Sequence, residues 1–155
     1  MSLEAKVLTV SDSVGSGTRT DATGPAVAAA LEAHGFLVVD RQVARDGLVP
    51  VSAALRRLVG SFHGLVVTAG GTGFAPTDLT PEATLSVLER EAPGLAEAAR
   101  AGSPLGRLTR GVAGTVGDCL VVNLPGSVAG AVECLDAVID VLPHALDLLG
   151  GGRPH

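Results

Sequence analysis

The stretch from Gly64 to Ala83, GLVVTAGGTGFAPTDLTPEA, constrains the fold more than any other part of the chain. Leu65, Val66 and Val67 form a short apolar run that predicts a buried strand. It opens into Thr68-Ala69-Gly70-Gly71-Thr72-Gly73, a turn rich in glycine and hydroxyl groups, and then into a polar loop through Asp78. Thr80-Pro81-Glu82-Ala83 predicts the start of a helix, with Thr80 as N-cap, Pro81 at the first helical position and Glu82 near the positive helix end. A strand that runs through glycines into a helix is where α/β proteins bind anions and nucleotides, beyond the carboxyl ends of parallel strands.

Glycine at 70, 71 and 73 allows positive φ and lets backbone N–H groups approach a ligand closely, as in an anion-binding nest. Thr68 and Thr72 add hydroxyl groups within reach of phosphate oxygens. Asp78 repels phosphate and fits beside one only when a divalent cation lies between them. Neither G-x-x-x-x-G-K-[ST] nor G-x-G-x-x-G occurs, so the loop is equally compatible with a tight turn whose glycines answer a steric need.

The remaining pattern alternates strands and helices. A strand over Lys6–Val10 ends at Ser11-Asp12-Ser13, a polar loop covers Val14–Thr23, and a helix runs from Pro25 to His34. A strand at Phe36–Val39 precedes a turn at Arg45-Asp46-Gly47 and a helix from Pro50 to Val59. Helices follow at Pro81–Glu91 and Leu95–Ala101, then a strand at Cys119–Val122. A final helix spans Val128–Leu149, bent near Pro143, and residues 150–155 read as a flexible tail. The expected architecture is a single-domain, three-layer α/β/α fold with a mostly parallel, doubly wound sheet and a small hairpin around Arg110–Asp118. In such a sheet Ser11-Asp12, Thr68–Gly73 and Asn123–Ser127 share one edge and can line one pocket, and Asp46 can reach it. Asp46 before Gly47 also suits a plain turn, and Asp12 a loop cap.

A chain of 155 residues, 46% hydrophobic and 17% charged, is long enough to bury its own core. Its net charge of −5, scattered basic residues and lack of Trp and Tyr argue against nucleic-acid binding. No apolar run reaches the ~20 residues a membrane span needs, and no export signal is present, so a cytoplasmic location is expected. Cys119 and Cys134 read as buried, inert thiols, and the four histidines lack metal-ligand spacing. Ser11 has no evident activating base, which argues against a hydrolase.

Residues 68–73 and 78–83 together resemble the T-x-G-G-T-G…D-x-T-P-E-A signature of molybdopterin-binding proteins of the MogA/MoaB type. Asn123-Leu124-Pro125-Gly126-Ser127 is similar to that family's N-L-P-G-S/T motif. Ser103 with Thr109-Arg110-Gly111-Val112-Ala113-Gly114 resembles its S…S-R-x-x-A-G segment, and Thr9-Val10-Ser11-Asp12 with Asp21 its T-V-S-[DN]…D element. The likeness spans roughly residues 5–150. Val128-Ala129 stand where the family often has Pro-Lys.

The resemblance implies binding of molybdopterin and transfer of AMP from ATP to its terminal phosphate, with release of pyrophosphate, ahead of molybdenum insertion by an enzyme to which the product is handed. On that reading Asp78 and Asp46 are the catalytic pair and hold or orient Mg²⁺. Gly70, Gly71, Thr72 and Gly73 cradle phosphate, with Ser11, Asp12 and Thr68 beside them. Asn123, Pro125, Gly126 and Ser127 line the nucleotide or pterin pocket, and Glu82 orients metal-bound water. A homotrimer is also implied, with the small residues of Pro93–Gly106 as the expected contact. Two other readings stay open: a MoaB-like protein that binds molybdopterin or nucleotide without turnover, and a CinA-like enzyme of nucleotide salvage.

Overall fold

The apolar runs of the sequence become strands covered on both faces. The computed structural model describes residues 2–153. Strands β1 (Leu3–Val10), β2 (Phe36–Ala44), β3 (Gly64–Ala69), β4 (Arg90–Glu91), β5 (Ala113–Val116) and β6 (Cys119–Leu124) form one sheet in the order β2-β1-β3-β6-β5-β4. β1 pairs in parallel with β2 and β3, and β3 with β6. β5 is antiparallel to both β6 and β4, which makes β5–β6 the expected hairpin. Every residue of β3 and β6 is buried, so these central strands are mostly apolar rather than alternating, with Thr68 and Asn123 as their buried polar residues.

The helices are α1 (Asp12–Gly15), α2 (Thr23–Ala33), α3 (Leu48–Val59), α4 (Thr80–Val87), α5 (Pro93–Ala101), α6 (Val128–Asp136) and α7 (Leu142–Leu149), with a 3-10 turn at Gly106–Leu108. On one face, Val27, Leu31, Leu135 and Leu142 from α2, α6 and α7 pack with Ala5, Val7, Leu65, Val67 and Leu120. On the other, Val51, Leu55 and Leu58 of α3 and Ala83 and Val87 of α4 pack with Leu8, Val10, Val66 and Val121. The chain moves from β1 outward to β2 and then crosses back to β3. The sheet is thus doubly wound, with its topological switch point between β1 and β3, where ligands of such folds bind.

Three expectations change. The long C-terminal helix is two helices: α6 stops at Asp136, and Pro143 lies in the first turn of α7. Proline lacks the N–H and crowds the carbonyl four residues earlier, so the chain starts a new helix instead of bending an old one. The helix after the glycine loop ends at Val87, and Arg90–Glu91 instead pairs with Thr115 and Gly114 as an edge strand. Thr80 is not the N-cap. Leu79 holds that position without a side-chain bond, Thr80 is already helical, and its buried hydroxyl has no hydrogen-bond partner.

Cys119 and Cys134 are free and buried, and burial pushes the Cys119 thiol up to about 11. Among the described residues no helix is long and apolar enough to cross a membrane. At the C-terminus the Gly152 N–H donates to the Asp147 carbonyl (2.8 Å), while Pro154 and His155 of the expected tail lie outside the described residues.

Leu65 is fully buried in the middle of the sheet. Leu65→Ala is expected to lower unfolding stability by about 2–5 kcal/mol, read as a fall in the urea midpoint at unchanged slope.

Candidate functional site

Three strand ends converge at the switch point without side chains between them. Gly70 follows β3 with φ 109°, and a Cβ there would run into the carbonyl oxygen of Val10 at the end of β1. Its N–H donates to the Leu124 carbonyl at the end of β6 (3.1 Å). Gly71, at φ 68°, faces the Thr80 hydroxyl so closely that a Cβ would overlap it, and the Thr80 N–H donates to the Gly71 carbonyl (3.0 Å). These two positions require glycine both for conformation and for space. Gly126 packs on Gly70 from the β6 side, and its carbonyl accepts the Thr23 hydroxyl (2.7 Å). Ser127 then caps α6 by accepting the Gly130 N–H (3.1 Å), as Ser11 caps α1 through the Val14 N–H (3.3 Å).

Two cavities open on either side of this junction. The larger, about 550 Å³, is walled by Pro104, Leu105, Leu108, Thr109, Ala129 and Glu133 together with Thr72 and Gly73. The smaller, about 380 Å³, is lined by Thr9, Ser11, Arg19, Asp21, Thr23 and Asp46 together with Gly70. Gly71, Asp78, Gly126 and Ser127 belong to both.

The acidic residues are not equivalent. Asp12 and Asp46 lock together: the Asp12 N–H donates to Asp46 Oδ2 (3.1 Å) and the Asp46 N–H to Asp12 Oδ1 (3.0 Å). Burial pushes the Asp46 carboxyl above its usual range. The charges of Asp12 and Asp78 push the same way, against the Asp12 N–H. Asp78 closes its own loop by accepting the Ala75 N–H at Oδ2 (3.0 Å), and it remains half-exposed. Asp21 joins the start of α2 to β1, accepting the Thr9 hydroxyl (2.7 Å) and the Gly24 N–H (2.9 Å).

Three residues expected to face ligand are engaged elsewhere. Asn123 is buried; its amide donates to the hydroxyls of Thr68 (2.9 Å) and Thr84 (3.0 Å), and its Oδ1 accepts the Val112 N–H (3.1 Å). Asn123 and Thr68 therefore tie β6, β3, α4 and the 110–112 segment together rather than lining a cavity. Glu82 pairs with the Arg110 guanidinium (2.6 Å), which holds its carboxyl below the usual range, and it lines neither cavity. Ser11, Asp46, Gly70, Gly71, Thr72, Gly73, Asp78, Pro125, Gly126 and Ser127 do line one or both cavities, and Asp12 backs Asp46.

Glu133, Leu105, Leu108 and Arg19 were not singled out from the sequence. For Glu133 a signal existed: with Ser127 capping α6, residues 129, 130 and 133 share one helix face, and all three line the larger cavity. Leu105 and Leu108 carry no such mark, because they sit at the start and end of a short 3-10 turn in the connection between α5 and β5.

Comparison with known proteins places likeness along nearly the whole chain. The family described as "Probable molybdopterin binding domain" matches residues 6–144. The chain is 34% identical over 152 residues to a molybdopterin adenylyltransferase of Helicobacter pylori, covering 94% of this chain and 86% of that protein. It is 35% identical over 150 residues to the molybdenum cofactor synthesis protein cinnamon of Drosophila melanogaster, covering 93% of this chain and 25% of that one. The chain thus spans about a quarter of the length of the fly protein. Among solved structures, the molybdopterin biosynthesis enzyme MoaB of Thermus thermophilus is 43% identical, with a TM-score of 0.91 and 98% coverage of both chains.

Because Asp46 is harder to ionise in the fold than out of it, its folded pKa lies above the unfolded value. The protonated group therefore favours the fold at low pH, and that advantage is lost as pH rises through the folded pKa. Asp46→Asn is expected to raise the melting temperature at neutral pH, with the gain vanishing below the ordinary carboxylate range. Melting curves of both proteins across pH check this.

Proposed function

This chain belongs to the molybdopterin-binding domain family of molybdenum cofactor biosynthesis, and on that premise we propose that it transfers AMP from ATP to the terminal phosphate of molybdopterin and releases pyrophosphate. The observation that carries this reading is the pair of cavities meeting at Gly71, Asp78, Gly126 and Ser127. Two adjoining chambers with shared groups at their boundary suit a transfer between two phosphate-bearing substrates. A terminal phosphate oxygen of molybdopterin attacks the α-phosphorus of ATP. The bond from the α-phosphorus to the bridging oxygen breaks, and pyrophosphate leaves with the electron pair, so that a new P–O–P anhydride replaces the old one.

The residues of this chain supply position more than covalent chemistry. The backbone N–H groups of Gly71, Thr72 and Gly73 cradle the phosphates, and Leu105 and Leu108 give the larger chamber an apolar wall. The donor set fits Mg²⁺. Asp46 and Asp78 are oxygen donors that line the same cavity, and Mg²⁺ takes one or two carboxylates with substrate phosphates. No group of three His, Cys, Asp or Glu poised for a metal occurs among the described residues, so the substrates would complete its shell. When bound, Mg²⁺ neutralises phosphate charge and fixes the α-phosphate.

A second reading, binding without turnover, rests on one observation. Ala129 lines the larger cavity where the family often carries lysine, and the charged groups lining that cavity are Asp78 and Glu133, both acidic. Single-turnover mixing with MgATP and molybdopterin separates the two. Pyrophosphate is expected with the wild type, and Asp78→Asn should slow its release by about 100-fold or more while the melting temperature stays within a few degrees. Binding of both ligands with no pyrophosphate would select the second reading.

The chain is further proposed to form a homotrimer through the Pro93–Gly106 region, where Leu105 is 67% exposed and Leu108 beyond it 53%. Light scattering should give about three times 15.4 kDa, and a mass that stays at 15.4 kDa on concentration would reject the assembly.

A further inference from the structure

We propose that Arg110 is the positioning residue of this site: its guanidinium ties both ends of the loop from Gly73 to Asp78 to helix α4 and so sets where the Asp78 carboxylate stands. The inference rests on the role of Asp78 proposed above. Nε donates to the Gly73 carbonyl (2.8 Å) and Nη2 to the Asp78 carbonyl (2.6 Å). Nη1 donates to Glu82 Oε2 (2.6 Å) and Nη2 to Glu82 Oε1 (3.2 Å). The Arg110 backbone N–H also donates to the Thr72 carbonyl (2.8 Å), at the entry to the same loop.

These contacts divide the labour within the site. Residues 74–77 are exposed, and the loop's own bonds, from Ala75 to the Asp78 side chain and from Asp78 to the Ala75 carbonyl, close it on itself without fastening it to the domain. Its attachment comes at its two ends, and Arg110 grips both. The arginine in turn is fixed by a carboxylate in the first turn of α4, a helix held on the sheet by Ala83 and Val87. Four of its N–H groups are thereby used, and Glu82 balances its charge, so Arg110 is not the cation that receives a phosphate. Only a planar fork can reach two carbonyls and a carboxylate at once; an ammonium keeps the charge and loses the geometry.

Arg110→Lys tests this, because it separates charge from geometry, and Glu82→Gln provides a milder variant that leaves the arginine and both of its carbonyl contacts available. The clamp predicts that Arg110→Lys lowers kcat for pyrophosphate release by about 10–100-fold, with KM for MgATP and for molybdopterin within about threefold of wild type. Glu82→Gln should fall between the two. Amide hydrogen exchange at Ala75 and Asp78, measured on the protein without ligands, should quicken by about tenfold or more in Arg110→Lys while exchange in β3 and β6 is unchanged. A kcat within threefold of wild type together with unchanged loop exchange would overturn the clamp. So would a raised KM at unchanged kcat, which marks a direct phosphate contact. If the wild type itself releases no pyrophosphate, the adenylyl-transfer reading fails by itself, and loop exchange still decides whether Arg110 holds the loop.

Discussion

The structure depends on how closely three strand ends approach one another at Gly70. The carbonyl end of β1 touches it, the last residue of β6 accepts its N–H, and Gly126 packs on its Cα. No side chain larger than hydrogen fits at that point. The carboxyl ends of β1, β3 and β6 are therefore drawn into a single edge on which the loops that follow must meet. Both cavities open there, and the residues they share are those the convergence brings together.

Electrostatics gives the site a direction. Asp12, Asp46 and Asp78 gather near the glycine loop, and burial together with mutual repulsion makes Asp46 reluctant to ionise. The arginine built into this loop is spent on Glu82 and on backbone carbonyls.

Much of this was legible in the linear chain. Glycines at 70 and 71 after an apolar run, the N-L-P-G-S turn after another, and a serine after a third marked strand ends, and alternation of strand and helix placed those ends on one edge. Local errors came where neighbours in space outweighed neighbours in sequence. Thr80 looks like an N-cap by composition, but its bond to Gly71 draws it into the helix. Arg90–Glu91 continues a helical pattern, but β5 offers it an edge to pair with.

The sequence by itself determined which backbone positions stand at the sheet edge, because strand length, glycine conformation and helix starts are set by residues a few places apart. Only the tertiary structure decided which polar side chains face the cavities. Asn123 turns inward to Thr68, 55 residues away, Arg110 finds Glu82 at a distance of 28, and Asp46 meets Asp12 at 34. Such pairings follow from strand register and from the angle at which each helix crosses the sheet. A buried amide or a charged group takes whichever partner that geometry brings within about 3 Å, and no local pattern records the choice.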